Sequence, residues 1–285
     1  MHHVARNDTL RESSHTIKAV TFDLWETLLF EEDGASAERT SARCRKLAQT
    51  LNGFGARVSI EQVGDALNNT VSSLLEKWNK NKDVAHVDQI QLFLENLPKK
   101  PAMPKTELIE DLSSAYISPF FEVPPYLNPD AHIALKWLKD RHNLIGLICN
   151  TGLTPGTALR RFLSEQDVSD YFDLMVFSDE VGIRKPDGRI FQLVAKKMKM
   201  EPCEIVHIGD NLKADVYGAK SAGFKAIHFS SDVGRDKIAE ADPRSLVSIS
   251  RNLSSLEEGQ MKPDKTIASL ATVRKAIEEI EVATS

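Results

Sequence analysis

Residues 18–30 of the chain read KAVTFDLWETLLF, and this stretch decides the fold. Its apolar first part ends at an acid, Asp23, and Thr27 follows four residues later. A run this short and apolar predicts a buried strand of a parallel sheet. Open α/β sheets bind ligands at the carboxyl ends of their strands, so Asp23 is a candidate site residue. The stretch by itself equally allows Asp23 to cap the turn after the strand.

Composition indicates a globular protein that can bury a substantial core. The chain has 285 residues, 41% of them hydrophobic and 27% charged. A net charge of −5 argues against nonspecific binding to nucleic acid or to an anionic membrane. The three cysteines form neither a disulfide framework nor a zinc pattern, which favours a cytoplasmic location. The oligomeric state has no signature in the sequence.

The sequence contains no sign of a membrane span or a signal peptide. No apolar run reaches the roughly 18 to 20 residues that cross a bilayer. The polar residues 1–15 lack the hydrophobic core of a signal peptide, and we expect them to form a disordered leader.

A polar insert with helical periodicity runs from Glu31 to about Pro124 after the first strand, and we expect it to form a small helical domain. Ser59 and Gln62 form a capping box that opens one of its helices. Four helices are predicted, over residues 35–52, 59–78, 86–97 and 106–116. The Pro-rich residues 118–129 are predicted to be a hinge or linker at its end.

Strands alternate with helices from residue 130 onward, as in NLIGLICN, DLMVFSD and EIVHIG. This alternation predicts an α/β fold with a doubly wound parallel sheet and right-handed crossovers. We assign residues 16–31 and 125–285 to this α/β core.

Polar residues follow three of the predicted strands of the core. Cys149, Asn150 and Thr151 end one strand, in a turn whose N–H groups can hold an anion. Lys185 lies after the next strand and can neutralise a bound anion. Taken singly, each pattern is more often a simple turn or a solvated surface.

Two acids follow the strand EIVHI, at Asp210 and at Asp215 in the next helix. Together with Asp23 they predict a cluster of three carboxylates, which would repel one another unless a cation neutralised them. Oxygen ligands of this kind suit Mg²⁺.

With these residues assembled, the chain resembles the haloacid dehalogenase-like hydrolase superfamily. The resemblance rests on four segments in order, FDLWETL, LICNTG, RKPDGRIF and IGDNLKAD. It implies a Rossmann-like core with an inserted helical cap of the C1 type, which here would be residues 32–124. It also implies an Asp23 nucleophile that forms a covalent aspartyl intermediate, with Lys185 steadying the charge on nucleophile and substrate.

The same resemblance implies a Mg²⁺ site and contacts to the transferred group. The implied metal ligands are Asp23, the main-chain carbonyl of Trp25, and Asp210, with Asp215 at or beside the metal. The implied substrate contacts are Thr27, Cys149, Asn150 and Thr151.

Two departures from the family pattern bear on activity. The family's phosphatases carry a second Asp as general acid/base where this chain has Trp25, and its loss would lower the rate by roughly 10² to 10⁴. The adjacent Glu26 is predicted to point elsewhere. Cys149 stands where the family has Ser or Thr, and a thiol is the poorer hydrogen-bond donor.

Three functions therefore compete. The retained acids favour Mg²⁺-dependent hydrolysis of a small phosphorylated molecule. Trp25 is also compatible with a metal-independent dehalogenase-like hydrolase acting at carbon. The third is a catalytically weak binding or regulatory protein with a retained metal site.

The first predicted helix of the cap carries four cations that could hold an anionic tail of the substrate. They are Arg39, Arg43, Arg45 and Lys46. A solvated helix face is the commoner explanation for such charges.

Overall fold

The computed structural model describes residues 16–99, 106–230 and 262–283. The predicted disordered leader at 1–15 lies outside these residues. The strands of the described part are β1 Ala19–Phe22, β2 Leu29–Phe30, β3 Tyr126–Leu127, β4 Leu144–Cys149, β5 Leu174–Phe177, β6 Ile205–Gly209, β7 Lys225–Phe229 and β8 Lys265–Ile267.

Six of these strands form one parallel sheet in the order β5-β4-β1-β6-β7-β8. β1 lies between β4 and β6, and Val20 is opposite Ile145 on one side and Val206 on the other. All four β1 residues are buried, as expected for a strand covered on both faces. The predicted doubly wound α/β fold is confirmed. Because all six strands run parallel, their carboxyl ends share one edge.

Helices fill the connections between the strands. They are α1 Ala35–Gly53, α2 Ile60–Trp78, α3 His86–Glu95, α4 Thr106–Glu122, α5 Ala131–Asp140, α6 Gly156–Glu165, α7 Ser178–Val181, α8 Gly188–Met198, a π-helical segment Leu212–Tyr217, α9 Gly218–Ser221 and α10 Val273–Ala283. Short 3₁₀ turns lie at Ser169–Tyr171, Pro202–Glu204 and Leu270–Thr272. None of the helices in the described residues is long and apolar enough to cross a membrane.

The helices α1 to α4 lie between β2 and β3 and share a hydrophobic cluster of their own. Ser59 caps α2, and the predicted capping box with Gln62 is present in both directions. β2 and β3 pair antiparallel, with Phe30 opposite Tyr126. The chain therefore leaves and re-enters the α/β part at neighbouring points, while the exact domain limits stay a prediction.

The prediction of a hinge over residues 118–129 is wrong for most of that stretch. Helix α4 runs through Pro119 to Glu122, and β3 follows at Tyr126–Leu127. Proline inside a helix costs about 3 kcal/mol. The helix continues because Phe120 is fully buried in the cluster that covers the sheet, where it packs edge-on against Phe162 with ring centroids 5.4 Å apart.

Candidate active site

The predicted nucleophile Asp23 lies directly after the central strand β1. Its backbone N–H donates to the Ile208 carbonyl oxygen at 2.8 Å, which continues the β1–β6 pairing one residue beyond the strand. Its side chain is 11% exposed. Asp210 follows β6 in the same way, so both acids lie at the carboxyl edge of the sheet.

Asp23, Asp210 and Asp215 form the predicted carboxylate cluster. One oxygen from each lies within 4.8 Å of the others. Asp215 reaches this point because the segment after β6 passes over Gly209, where a Cβ would clash with the Asp215 carboxyl group. Glycine at this position therefore makes room for the third acid of the cluster.

Lys185 lies in the middle of the cluster. Its Nζ lies 2.6 Å from Asp23 Oδ1 and 2.7 Å from Asp215 Oδ1, and it also donates to the Ile148 carbonyl oxygen at 2.7 Å. Asn150 fixes the Lys185 backbone, accepting from its N–H at 2.8 Å and donating to its carbonyl oxygen at 2.9 Å. The Lys185 position thus depends on the ends of β1, β4 and β6.

A buried hydrogen-bonded chain orients Asp215. His207 Nε2 lies 3.1 Å from Asp215 Oδ1, and His207 Nδ1 lies 2.9 Å from Thr21 Oγ1. Burial lowers the pKa of His207, so the neutral ring donates from Nε2 and accepts the Thr21 hydroxyl proton at Nδ1. Asp215 Oδ2 accepts the Asn211 N–H at 2.9 Å. Asp215 is therefore fixed on both carboxylate oxygens.

The acids differ in proton affinity because their neighbours differ. Burial raises the pKa of Asp23 to about 6, against the opposing effect of Lys185. At Asp215, burial is outweighed by Lys185 and His207, and the pKa falls below its usual range. At Lys185, burial is outweighed by Asp215 and Asp23, and the pKa is raised. Lys185 and Asp215 therefore stay charged as a pair, and Asp23 is largely ionised at neutral pH.

The donor set fits a magnesium ion. Three carboxylates and one ammonium leave two negative charges in a small volume, which one divalent cation neutralises. Because Asp215 already accepts hydrogen bonds on both oxygens, Asp23 and Asp210 are the residues best placed to be direct carboxylate ligands.

The predicted substrate contacts have different surroundings. The Asn150 amide is bonded to the Lys185 backbone. Thr151 donates its N–H to Ser178 Oγ at 2.8 Å. Cys149 is fully buried and does not line the cavity beside the site. Thr27 is also fully buried, and its hydroxyl has no hydrogen-bond partner among the described residues. Their contacts with substrate stay predictions.

A cavity of about 280 Å³ joins the carboxylate cluster to the helices α1 and α2. Trp25, Glu26, Arg39, Arg43 and Trp78 are among the residues that line it. Glu26, which was predicted to point elsewhere, is a residue of the cavity wall. Its φ is +57°, in the left-handed region that residues other than glycine adopt only uncommonly.

A buried ion pair beside the cavity has no clear signal in the sequence. Arg184 Nη1 lies 2.5 Å from Asp83 Oδ2, and the guanidinium stacks over the Trp78 ring with its carbon 4.4 Å from the ring centroid. Asp83 also accepts from Ser178 and, at 3.3 Å, from Thr151. Arg184 precedes Lys185 in the RKP motif, but its partner lies about 100 residues earlier in the chain.

The family model for haloacid dehalogenase-like hydrolases matches residues 17–223. The chain belongs to this family. A second model, HAD-hydrolase-like, matches residues 182–271. The predicted resemblance is confirmed, and the protein is a haloacid dehalogenase-like hydrolase.

Relatives of this haloacid dehalogenase-like hydrolase include phosphatases. Glyceraldehyde 3-phosphate phosphatase of Methanopyrus kandleri is 27% identical over 231 residues, or 80% of this chain and 88% of that protein. Phosphoserine phosphatase of Thermus thermophilus is 30% identical over 153 residues, or 54% of this chain and 58% of that protein.

A solved dehalogenase structure has the same fold as this chain. The 2-haloacid dehalogenase from Pseudomonas syringae pv. Tomato superposes with a TM-score of 0.62 and 19% identity, covering 93% of this chain and 99% of that one. At this identity the match establishes the fold of a haloacid dehalogenase-like hydrolase, and the reaction must be argued from the site.

Proposed function

We propose that the protein is a Mg²⁺-dependent phosphatase that hydrolyses a small phosphorylated molecule. The observation that carries the proposal is the cluster of Asp23, Asp210 and Asp215 within 4.8 Å, with Lys185 bonded to two of its members. The names of the relatives support the same chemistry.

The residues of the cluster have separate roles in the proposed reaction. Asp23 attacks phosphorus, the ester P–O bond breaks, and an aspartyl phosphate forms that water then hydrolyses to release phosphate and regenerate Asp23. Lys185 neutralises charge on Asp23 and on the transferred group. Asp23, Asp210 and the Trp25 carbonyl would hold Mg²⁺, with Asp215 beside them. The bound ion would supply charge neutralisation for the phosphoryl oxygens.

The cavity carries a group that fits the proton transfer. Five carboxyl side chains of the described residues line it, at Asp23, Glu26, Glu31, Asp210 and Asp215. Three belong to the cluster, and Glu31 pairs with Arg39. Glu26 also lines the cavity, three residues after Asp23 in the chain, and we assign to it the protonation of the leaving oxygen and the activation of water.

Phosphate release from a panel of small phosphomonoesters tests the proposal, measured with Mg²⁺ and with EDTA. We expect turnover with Mg²⁺ only, and its loss in Asp23→Asn. Asp65→Asn is the control, because it makes the same change at an exposed position of α2.

Other outcomes would identify the competing functions. Chloride release from 2-haloacids that persists in EDTA would replace the proposal with dehalogenase chemistry. Binding of phosphomonoesters without turnover of any of them would favour a binding protein.

A further inference from the structure

Two of the cations on α1 face the cavity, and they differ in what compensates their charge. Arg39 and Arg43 are one helical turn apart, line the cavity, and are 6% and 3% exposed. The other two cations of α1 do not line the cavity: Arg45 is exposed, and Lys46 pairs with Glu122 at 2.7 Å. The commoner explanation, a solvated helix face, therefore does not apply to Arg39 and Arg43.

The charge of Arg39 is neutralised within the protein. Its Nη2 pairs with the Glu31 carboxylate, and its Nη1 donates to the Val123 carbonyl oxygen at 3.0 Å. Arg39 therefore has its partners in place before any ligand binds.

The charge of Arg43 is not neutralised by any acid of the described residues. Its Nε donates to the Tyr116 carbonyl oxygen at 2.8 Å, and its guanidinium carbon lies 5.0 Å from the centroid of the Tyr116 ring. These contacts fix the side chain and leave its Nη groups without a protein acceptor among the described residues. Burial also lowers the pKa of Arg43, and the nearby Arg39 charge lowers it further.

A buried charge is normally paired, because desolvation without a partner is costly. The fixed guanidinium of Arg43 presents N–H groups in the planar arrangement that binds carboxylates and phosphates through two hydrogen bonds. Its missing partner is therefore best supplied by an anion in the cavity.

We propose that Arg43 binds a second anionic group of the substrate, on the cap side of the same cavity in which the carboxylate cluster receives the phosphoryl group. The substrate class is a small phosphomonoester that carries a carboxylate or a second phosphate. This assignment rests on the proposed phosphatase function, since it names the substrate of that site.

Other cations of the cavity do not fill this role. Lys185 belongs to the cluster, and Arg184 is paired with Asp83. Lys213 lines the cavity but is partly exposed, so water compensates its charge. Arg43 is thus the buried, uncompensated cation of the described cavity wall.

Matched substrates test the assignment. 3-Phosphoglycerate and glycerol 3-phosphate differ in a carboxylate at the end opposite the phosphate. We expect the native protein with Mg²⁺ to favour the carboxylate by about tenfold to a hundredfold in kcat/KM. Glycerol 1,3-bisphosphate carries a second phosphate in place of the carboxylate. Comparing its kcat/KM with that of 3-phosphoglycerate shows which of the two anionic groups the site favours.

Variants at two positions of α1 test whether Arg43 causes the preference for the substrate with a second anionic group. Arg43→Gln should bring the ratio close to one, and Arg43→Lys should retain part of it, because lysine keeps the charge without the planar pair of donors. Arg45→Gln removes the same charge from the exposed face of the helix and should keep the native ratio. Equal use of charged and neutral esters by the native protein would overturn the assignment, as would an unchanged ratio in Arg43→Gln.

Binding of glycerate, followed by the Tm of the protein, tests Arg43 even if none of the esters is hydrolysed. The Tm of each variant without ligand also shows whether the variant is folded. At equal ionic strength, glycerate should raise the Tm of the native protein and glycerol should not, and Arg43→Lys should show a smaller rise. If no ester is hydrolysed but glycerate still acts through Arg43, the proposed function fails and the anion site stands. If esters are hydrolysed without regard to the second charge, the anion site fails and the function stands.

Discussion

At the scale of single residues, Trp25 and Glu26 are the two residues on which the proposed proton transfer depends. Trp25 lines the cavity and packs edge-on against Phe120, with ring centroids 6.3 Å apart, so it contributes shape and no titrating group. Glu26 lines the same cavity from a left-handed backbone position. The family's phosphatases carry their general acid/base two residues after Asp23, where this chain has Trp25. Our proposal gives that role to the next residue, Glu26.

We expect Glu26→Gln to lower kcat for phosphate release by about 10² to 10⁴, because it keeps the shape and removes the proton donor. The double variant Trp25→Asp/Glu26→Gln should recover part of the lost kcat, because it returns a carboxylate to the cavity wall. Glu32→Gln, at an exposed position nearby, serves as the control. Native turnover in Glu26→Gln would contradict the role.

His86 gives a second prediction at this scale. Burial, together with the nearby charge of Arg43, lowers its pKa from 6.5 to about 4. Its ring packs edge-on against Tyr116 at 5.4 Å, and its Nε2 lies 2.7 Å from Ser113 Oγ. The unfolded chain therefore binds more protons at His86 between these pH values, and stability falls as pH drops through that window.

From pH 7.5 to pH 5 we expect His86 to account for a loss of roughly 2 kcal/mol in the free energy of unfolding. Urea unfolding at both pH values measures it. His86→Gln should remove this part of the pH dependence, while His132→Gln, at an exposed position, should leave it in place. A native pH dependence retained in His86→Gln would refute the assignment.

At the scale of elements, the segment between α2 and α3 is joined to the segment that carries Lys185. Asp83 N–H donates to the Gly182 carbonyl oxygen at 3.2 Å, and Arg184 N–H donates to the Asn81 carbonyl oxygen at 3.0 Å. The Asp83 and Arg184 side chains, 0% and 9% exposed, add a buried ion pair. The helical insert therefore helps to position the loop of the candidate active site.

We expect Asp83→Ala to destabilise the fold by about 3 to 5 kcal/mol, because Arg184 would remain buried without its partner. It should also lower phosphate release, since Arg184 adjoins Lys185. Asp140→Ala removes an exposed acid that pairs with Lys136 at 2.8 Å and should cost under about 1 kcal/mol. Similar destabilisation by both changes would show that burial of the Asp83 pair is not decisive.

At the scale of the whole molecule, the helical insert and the α/β part exchange core residues. Phe120 of α4 lies in the cluster that covers the sheet, and Leu153, from the loop after β4, lies in the cluster of the helices. Each cluster is thus completed by a residue from the other part. We expect a single cooperative unfolding transition as the consequence.

Phe120→Ala tests this coupling. It should cost about 3 to 5 kcal/mol and disturb Trp25, which packs on the same ring. Thermal unfolding followed by circular dichroism and by tryptophan fluorescence should report both effects. Phe54→Ala, at a position that is 39% exposed, should change stability by less than about 0.5 kcal/mol. Two separate transitions in the native protein would contradict the coupling.

Local patterns in the sequence determined the fold class and the acids of the site. The alternation of apolar strands with amphipathic helices identified a parallel sheet, and the rule that ligands bind at strand ends selected Asp23, Asp210 and Lys185. These features depend on neighbouring residues and on one general property of such sheets. The helices of the insert followed from periodicity, and one helix start followed from its capping box.

Only the tertiary structure decided which cations of α1 face the cavity, which partner Arg184 takes, that Glu26 lines the cavity, and that α4 continues through Pro119. Each depends on contacts between segments far apart in the chain, such as Arg43 with Tyr116 or Phe120 with Phe162. The free energy of such burial outweighs local preferences of the backbone, and no local pattern records it. The proposed nucleophile Asp23 was therefore identified from the sequence, whereas the proposed substrate contact of Arg43 follows from packing.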